Sequence, residues 1–241
     1  MKAAGVIPAR LGSTRFPEKV LRLIAGKPMI QHVWERASKA KALAELIVAC
    51  DDARVQACVQ GFGGKAVMTR ADHPNGTSRI GEIAAAVQAD IFVNIQGDEP
   101  LMDPANIDAL VKVFENHAEM QAATLAVQKT DAKGFFNPNV VKVVCDVMGN
   151  ALYFSRAPLP YDRDGTGGAY LKHLGIYAYR RDFLLQFVNW KPGHLEQIEK
   201  LEQLRILERG IKIRVVTTRN DSPGVDTPED LEAVEKILKT Q

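Results

Sequence analysis

The chain is short of most features that mark a function at sight. Cysteine is scarce: Cys50, Cys58 and Cys145 show no CxxC spacing and leave one thiol unpaired in any disulfide scheme. Cys50 falls in a strand-like run and Cys58 on an apolar helix face, so both read as small core residues in a reducing, cytoplasmic setting. Five scattered histidines and three cysteines make neither a zinc-ligand cluster nor a Ser-His-Asp order. Apolar runs stay far below the length of a membrane span. Strand-like sequence begins two residues after Met1, which leaves no room for a signal peptide. Neither charge is in excess: 31 basic residues face 29 acidic ones, and a net +2 argues against a broad nucleic-acid or membrane surface. Internal repeats, low-complexity tracts and clear linkers are also missing. What remains, with 46% hydrophobic and 25% charged residues over 241 positions, is an ordinary globular chain able to bury a substantial core.

The chain is organised around Val6–Val20. Ala3–Ile7 is short and apolar and reads as a buried strand, with Pro8 expected to end its ladder because proline has no N–H. Small residues follow, Gly12, Ser13 and Thr14, interleaved with the cations Arg10, Arg15 and Lys19. Small residues let backbone amides approach a ligand closely, and three positive charges past a strand end suit a polyphosphate. An ordinary strand-to-helix loop with solvated basic residues is the competing reading. Neither a P-loop nor a G-x-G-x-x-G fingerprint is present, so any phosphate grip must come from side-chain cations.

The run Ile-Pro-Ala-Arg-x-x-Ser-x-Arg-x-Pro-x-Lys, spanning Ile7 to Lys19, resembles the N-terminal signature of sugar-activating cytidylyltransferases. Later matches along nearly the whole chain narrow the resemblance to the 3-deoxy-manno-octulosonate (Kdo) cytidylyltransferase family. One departure stands out, since Glu18 occupies the place where a glycine between Pro17 and Lys19 is expected.

Strand and helix alternate to about residue 117. Helices are marked by Met29, Ile30, Val33 and Ala37, by Val55, Cys58 and Val59, and by Ile80, Ile83, Ala84 and Val87. Strands are expected at 45–50, 65–69 and 91–95. This rhythm predicts a mainly parallel α/β sheet covered on both faces, a Rossmann-like nucleotidyltransferase arrangement. From Ala122 the pattern turns antiparallel, with strands at 123–127, 140–145, 151–155 and 173–179 and a Gly/Asp-rich loop at 162–169. Helices at 181–190, 195–209 and 228–239 and a strand at 212–217 close the chain. The expectation is one domain over 1–241 with an inserted antiparallel lobe at about 122–180.

Gln96-Gly97-Asp98-Glu99-Pro100 follows an apolar strand, where open α/β sheets bind ligands. A lone Asp after a strand is more often a turn or helix cap than a ligand, but beside a phosphate grip Asp98 calls for a hard cation such as Mg²⁺. Asp226, in Gly224-Val-Asp-Thr-Pro-Glu-Asp230, is either a helix cap or a second carboxylate, with Thr227 the alternative cap. The resemblance implies Mg²⁺ held by Asp98 and Asp226, and Arg10, Arg15 and Lys19 acting with them on CTP. It also implies a nucleotide site of Pro8, Ala9, Ser13, Gln96 and the Thr69–Arg79 loop, including Arg70, Gly76, Thr77 and Arg79. His73 is expected to structure that loop, a catalytic base being the alternative, and Thr77 reads as the cap of the helix that follows. The sugar acid is expected to meet Arg156, Arg163, His173, Tyr177, Glu202 and Gln203. The implied reaction joins CTP and Kdo into CMP-Kdo and pyrophosphate for lipopolysaccharide assembly, in a homodimer built through the 122–180 region.

Other sugar acids, amino-substituted Kdo or sialic acid, stay open as substrates, although the sialic acid enzymes usually carry a lysine where Thr14 stands. A nucleotide-sugar glycosyltransferase would typically show Asp-x-Asp, absent at 96–100. A non-catalytic nucleotide-binding module has no use for two separated carboxylates and a sugar-acid site.

Overall fold

The computed structural model describes residues 1–12, 16–165 and 167–240. The first half runs through β1 (Ala3–Ala9), a 3-10 turn at Lys19–Leu21, and a ribbon of β2 (Leu23–Ile24) and β3 (Lys27–Pro28). It continues with α1 (Met29–Ala37), β4 (Leu43–Cys50), α2 (Ala53–Gly61), β5 (Ala66–Met68), α3 (Gly76–Ala86), β6 (Ile91–Asn94) and α4 (Pro104–Asn116). The second half holds β7 (Ala122–Lys129), α5 (Ala132–Phe136), β8 (Lys142–Cys145), β9 (Ala151–Ser155) and β10 (Tyr170–Arg180). After these come α6 (Arg181–Phe187), α7 (His194–Glu199), α8 (Leu204–Leu207), β11 (Ile213–Thr218) and α9 (Pro228–Lys239).

Among the described residues the main sheet runs β11-β7-β10-β6-β1-β4-β5, and every neighbouring pair is parallel except those made by β10. The hairpin β8–β9 extends the sheet from the start of β10. Side chains alternate along β1, with Ile7 and Ala9 facing α1, α2 and α4 while Ala4 and Val6 face α3, α6 and α8. Both faces are therefore covered, as a parallel sheet requires. Fully buried side chains such as Ile30, Phe92 and Phe187 each contribute about 1.5–3 kcal/mol by leaving water.

Pro8 does not end its strand. It stays paired with Ala49 of β4, and β1 runs on to Ala9. Backbone groups alternate sides, and the Val6 carbonyl points at β6, accepting from the Ile95 amide at 2.9 Å. The side on which Pro8 lacks an N–H is the same one, just past the last β6 partner, so no ladder bond is lost.

Three more expectations change. Residues 195–209 form two short helices, because Lys200 sits at φ 54° and turns Leu201 into the core. Helix α3 is capped by Asn75, not Thr77: Asn75 Oδ1 accepts from the Ser78 amide at 2.8 Å. Cys58 is half-buried, leaving Val55 and Val59 as the buried face of α2.

Candidate active site

A cavity of about 320 Å³ opens at the carboxyl ends of the parallel strands, lined by Pro8, Arg10, Lys19, Asn75, Gly76, Arg79, Gln96, Asp98 and Asp226 among others. Two glycines permit its walls. A Cβ on Gly97 would stand 2.9 Å from the Pro8 carbonyl oxygen, and one on Gly76 would stand 3.1 Å from Pro8 Cγ. The loop after β6 and the start of α3 can thus press against the end of β1.

Charge is concentrated at one point. Lys19 Nζ donates to Asp98 Oδ2 at 2.7 Å and to Asp226 Oδ1 at 3.1 Å. The two carboxylates, 128 residues apart in sequence (226 − 98), converge on one ammonium. The Val225 amide donates to the Asp98 carbonyl at 2.9 Å and holds the two loops side by side. Thr227 is the cap of α9: its hydroxyl oxygen accepts from the Asp230 amide, and its own amide donates to Asp230 Oδ2. The cap role therefore belongs to Thr227, and the Asp226 carboxylate faces Lys19. No third histidine, cysteine or carboxylate completes a metal cluster with the pair among the described residues.

Glu18 sits at φ 54°, a left-handed conformation that favours glycine, which accounts physically for the glycine expected there. Its carboxylate turns away from the cavity and accepts from Arg54 Nη1 at 2.7 Å on α2.

Several expected ligands are committed to the protein itself. Arg79 lines the cavity, but its guanidinium donates to Asp51 Oδ2 at 2.8 Å, to Thr69 Oγ1 at 2.6 Å and to the Arg70 carbonyl at 3.2 Å. Asp51 also accepts from the Leu11 amide at 3.0 Å and so ties down the backbone at the start of the basic loop. Gln96 donates to the Gly175 carbonyl at 2.7 Å, at the irregularity of β10 between Leu174 and Tyr177. His73 contacts Glu82 at 2.5 Å, which holds the Glu82 carboxyl below its usual range, and the pair fixes the Thr69–Arg79 loop. The Arg70 side chain is largely exposed.

Among the sugar candidates, Tyr177 and Gln203 are buried and His173 and Glu202 half-buried. Glu202 accepts from Asn75 Nδ2 at 2.7 Å and from Thr77 Oγ1 at 2.6 Å, and burial raises its carboxyl. The Tyr177 hydroxyl and Gln203 Nε2 are buried without a hydrogen-bond partner among the described residues. His173 contacts Thr124 Oγ1 at 3.1 Å, and burial presses its value down to about 3, so it is a neutral group and not a cation. Arg156 donates to the carbonyls of Glu199 and Pro138. Arg163 is exposed on its loop. Ala9 is buried at the end of β1, while Ser13 and Arg15 lie outside the described residues.

Asn75 and Asp51 are the residues that the sequence reading missed. Asn75-x-x-Ser78 carried a cap signal that Thr77 obscured, whereas no local pattern announced the long-range partners of Asp51.

The cytidylyltransferase family profile matches residues 4–213. A 3-deoxy-manno-octulosonate cytidylyltransferase of Solibacter usitatus is 53% identical over 239 residues, covering 99% of this chain and 95% of that one. The chain belongs to this family. A namesake from Syntrophobacter fumaroxidans is 54% identical over 243 residues, covering 99% of this chain and 97% of its own. The solved structure of a CMP:2-keto-3-deoxy-manno-octonic acid synthetase complexed with CTP superposes with a TM-score of 0.96. It shares 47% identity and covers 100% of this chain and 99% of that one. The α/β architecture read from the strand-helix rhythm is the architecture of this family.

Proposed function

We propose that this chain activates Kdo with CTP, giving CMP-Kdo and pyrophosphate, and that it does so with Mg²⁺ held by Asp98 and Asp226. The observation that carries the reading is the convergence of those carboxylates on one cation-sized point at the cavity mouth. Mg²⁺ commonly takes one or two protein carboxylates and fills its octahedron with water and substrate phosphates, which suits this pair. When bound, such an ion supplies charge neutralisation and orientation to the triphosphate.

The residues do the rest by position. Arg10 and Lys19 offer positive charge to phosphate oxygens from the rim of the cavity. Pro8, Gly76 and Gly97 form a close backbone wall for the nucleoside. The sugar's anomeric hydroxyl oxygen attacks the α-phosphorus in line, its proton passes to solvent, and the bond from the α-phosphorus to the bridging oxygen breaks to release pyrophosphate. No nucleophilic side chain is needed; alignment and charge are. Glu202, Gln203, His173 and Tyr177 are the groups this reading assigns to the acid sugar, with His173 as a neutral hydrogen-bonding group. The product fits lipopolysaccharide assembly in a cytoplasmic setting. No helix among the described residues is long and apolar enough to cross a membrane.

Pyrophosphate release from CTP, measured against Kdo, amino-substituted Kdo and sialic acid, tests the proposal. Release with Kdo well above the other two is expected. No release with Kdo in the presence of Mg²⁺ would overturn it.

A further inference from the structure

We infer that the Lys19 ammonium is the resident counter-ion of the Asp98–Asp226 pair, and that it must leave that seat when a divalent cation enters with the nucleotide. The inference rests on reading the pair as a Mg²⁺ site.

Two observations and one rule of coordination chemistry carry it. Lys19 Nζ lies 2.7 Å from Asp98 and 3.1 Å from Asp226, and its side chain is 13% exposed, so it fills the point on which both carboxylates converge. Mg²⁺ bonds oxygen at about 2.0–2.1 Å. An ammonium and a divalent ion cannot share the same two oxygens at such distances without strong like-charge repulsion. Finally, the backbone beside Lys19 is pinned: Glu18 at φ 54° is tied to Arg54, and the Leu21 amide donates to the Glu18 carbonyl. A fixed base with a flexible four-carbon stem lets the charged tip change partners while the chain stays put.

The consequence is a coupling. In the free protein Lys19 neutralises two carboxylates that would otherwise repel each other, and it competes with divalent ions for them. A triphosphate offers the ammonium a better partner and vacates the seat for the metal. Nucleotide and metal therefore favour each other's binding, as linkage requires. Lys19 acts here as a positioning residue that keeps the free site closed to metal.

Mn²⁺ titration of the nucleotide-free protein, read from the EPR signal of the aqueous ion, tests this. Lys19→Met should bind Mn²⁺ roughly tenfold or more tightly than the parent chain. Lys19→Arg, which keeps a cation at the seat, should stay weak. Arg10→Gln removes a charge from the same cavity and should tighten binding several-fold less than Lys19→Met. Equal affinity in Lys19→Met and the parent, or an equal gain in Arg10→Gln, would overturn the inference. The double variant Lys19→Met/Asp98→Asn separates this outcome from failure of the metal reading. If it binds Mn²⁺ as well as Lys19→Met does, the ion sits elsewhere and both readings fall. Circular dichroism supplies a second readout, because Lys19→Met should gain more thermal stability from Mg²⁺ than the parent does. If it is unfolded without cation, recovery with Mg²⁺ supports the inference and no recovery contradicts it.

Discussion

The Arg79 guanidinium and the Asp51 carboxylate meet at 2.8 Å with side chains only 3% and 13% exposed. Through this pair the ends of β4 and β5, the start of α3 and the Leu11 amide of the basic loop are joined. Removing one partner of a buried ion pair strands the other charge, at a cost of roughly 3–5 kcal/mol. Arg79→Met should therefore lower stability by about that much in urea unfolding. Asp51→Asn should lower it less and should also raise KM for CTP, because the Leu11 anchor weakens. A stable Arg79→Met protein that had lost CTP binding would instead make Arg79 a direct ligand.

Glu18 stands where a glycine was expected, yet its carboxylate is tied to Arg54 and turned away from the cavity. An exposed pair of this kind contributes about 0–1 kcal/mol, against roughly 1–2 kcal/mol of left-handed strain that glycine would relieve. Glu18→Gly should leave kcat/KM for CTP within about twofold. A gain of tenfold or more would show that the acid weakens the phosphate grip.

His173 bears on acid stability. Its value is about 3 when folded, against the usual value of about 6.5 when unfolded, so between these the unfolded chain binds the extra proton. Stability owed to the neutral imidazole is complete above about pH 6.5 and falls toward pH 3, by at most about 1.4 kcal/mol per pH unit. Glu99, raised to about 8 by burial and by the neighbouring charge of Asp98, pulls the opposite way between about 4.5 and 8. The difference between variants is therefore the quantity to follow. Denaturant unfolding of His173→Gln should show a shallower loss on acidification than the parent, and parallel curves would mean that His173 titrates normally.

The 122–180 region presents apolar side chains to solvent, with Val147 and Met148 at the tip of the β8–β9 hairpin and Leu152 on β9. Because β9 pairs only with β8, its other edge carries no strand among the described residues. A second copy of the chain is the proposed occupant, since closed two-fold pairing is the commonest oligomer. Light scattering at micromolar concentration should give twice the chain mass, and a monomer would exclude the dimer.

Most of the fold was legible because it rests on local periodicity. The buried faces of α1 and α9's start at Pro228 follow from spacing and capping chemistry. The chain's irregular points were not legible, because tertiary packing decides them: Lys200 adopts a left-handed conformation so that Leu201 can be buried. At the site, motif order led to Lys19, Asp98 and Asp226. It could not reveal that Arg79, Gln96 and Glu202 are committed to internal partners, which depends on contacts between distant segments.

Asp98 and Asp226 are proposed to hold the metal that serves CTP. Steady-state turnover of Asp226→Asn at limiting and at high Mg²⁺ tests this most directly, with circular dichroism to confirm the fold. Asparagine keeps the shape but removes an anionic ligand, and losing an electrostatic element of this kind costs roughly 10²–10³ in kcat. Asp98→Asn should behave alike. Since Thr227, not Asp226, caps α9, the variant should unfold near the parent's midpoint. The expected result is a folded protein with turnover reduced at least about a hundredfold at limiting Mg²⁺ and partly restored by more. Full activity of Asp226→Asn at low Mg²⁺ would contradict it.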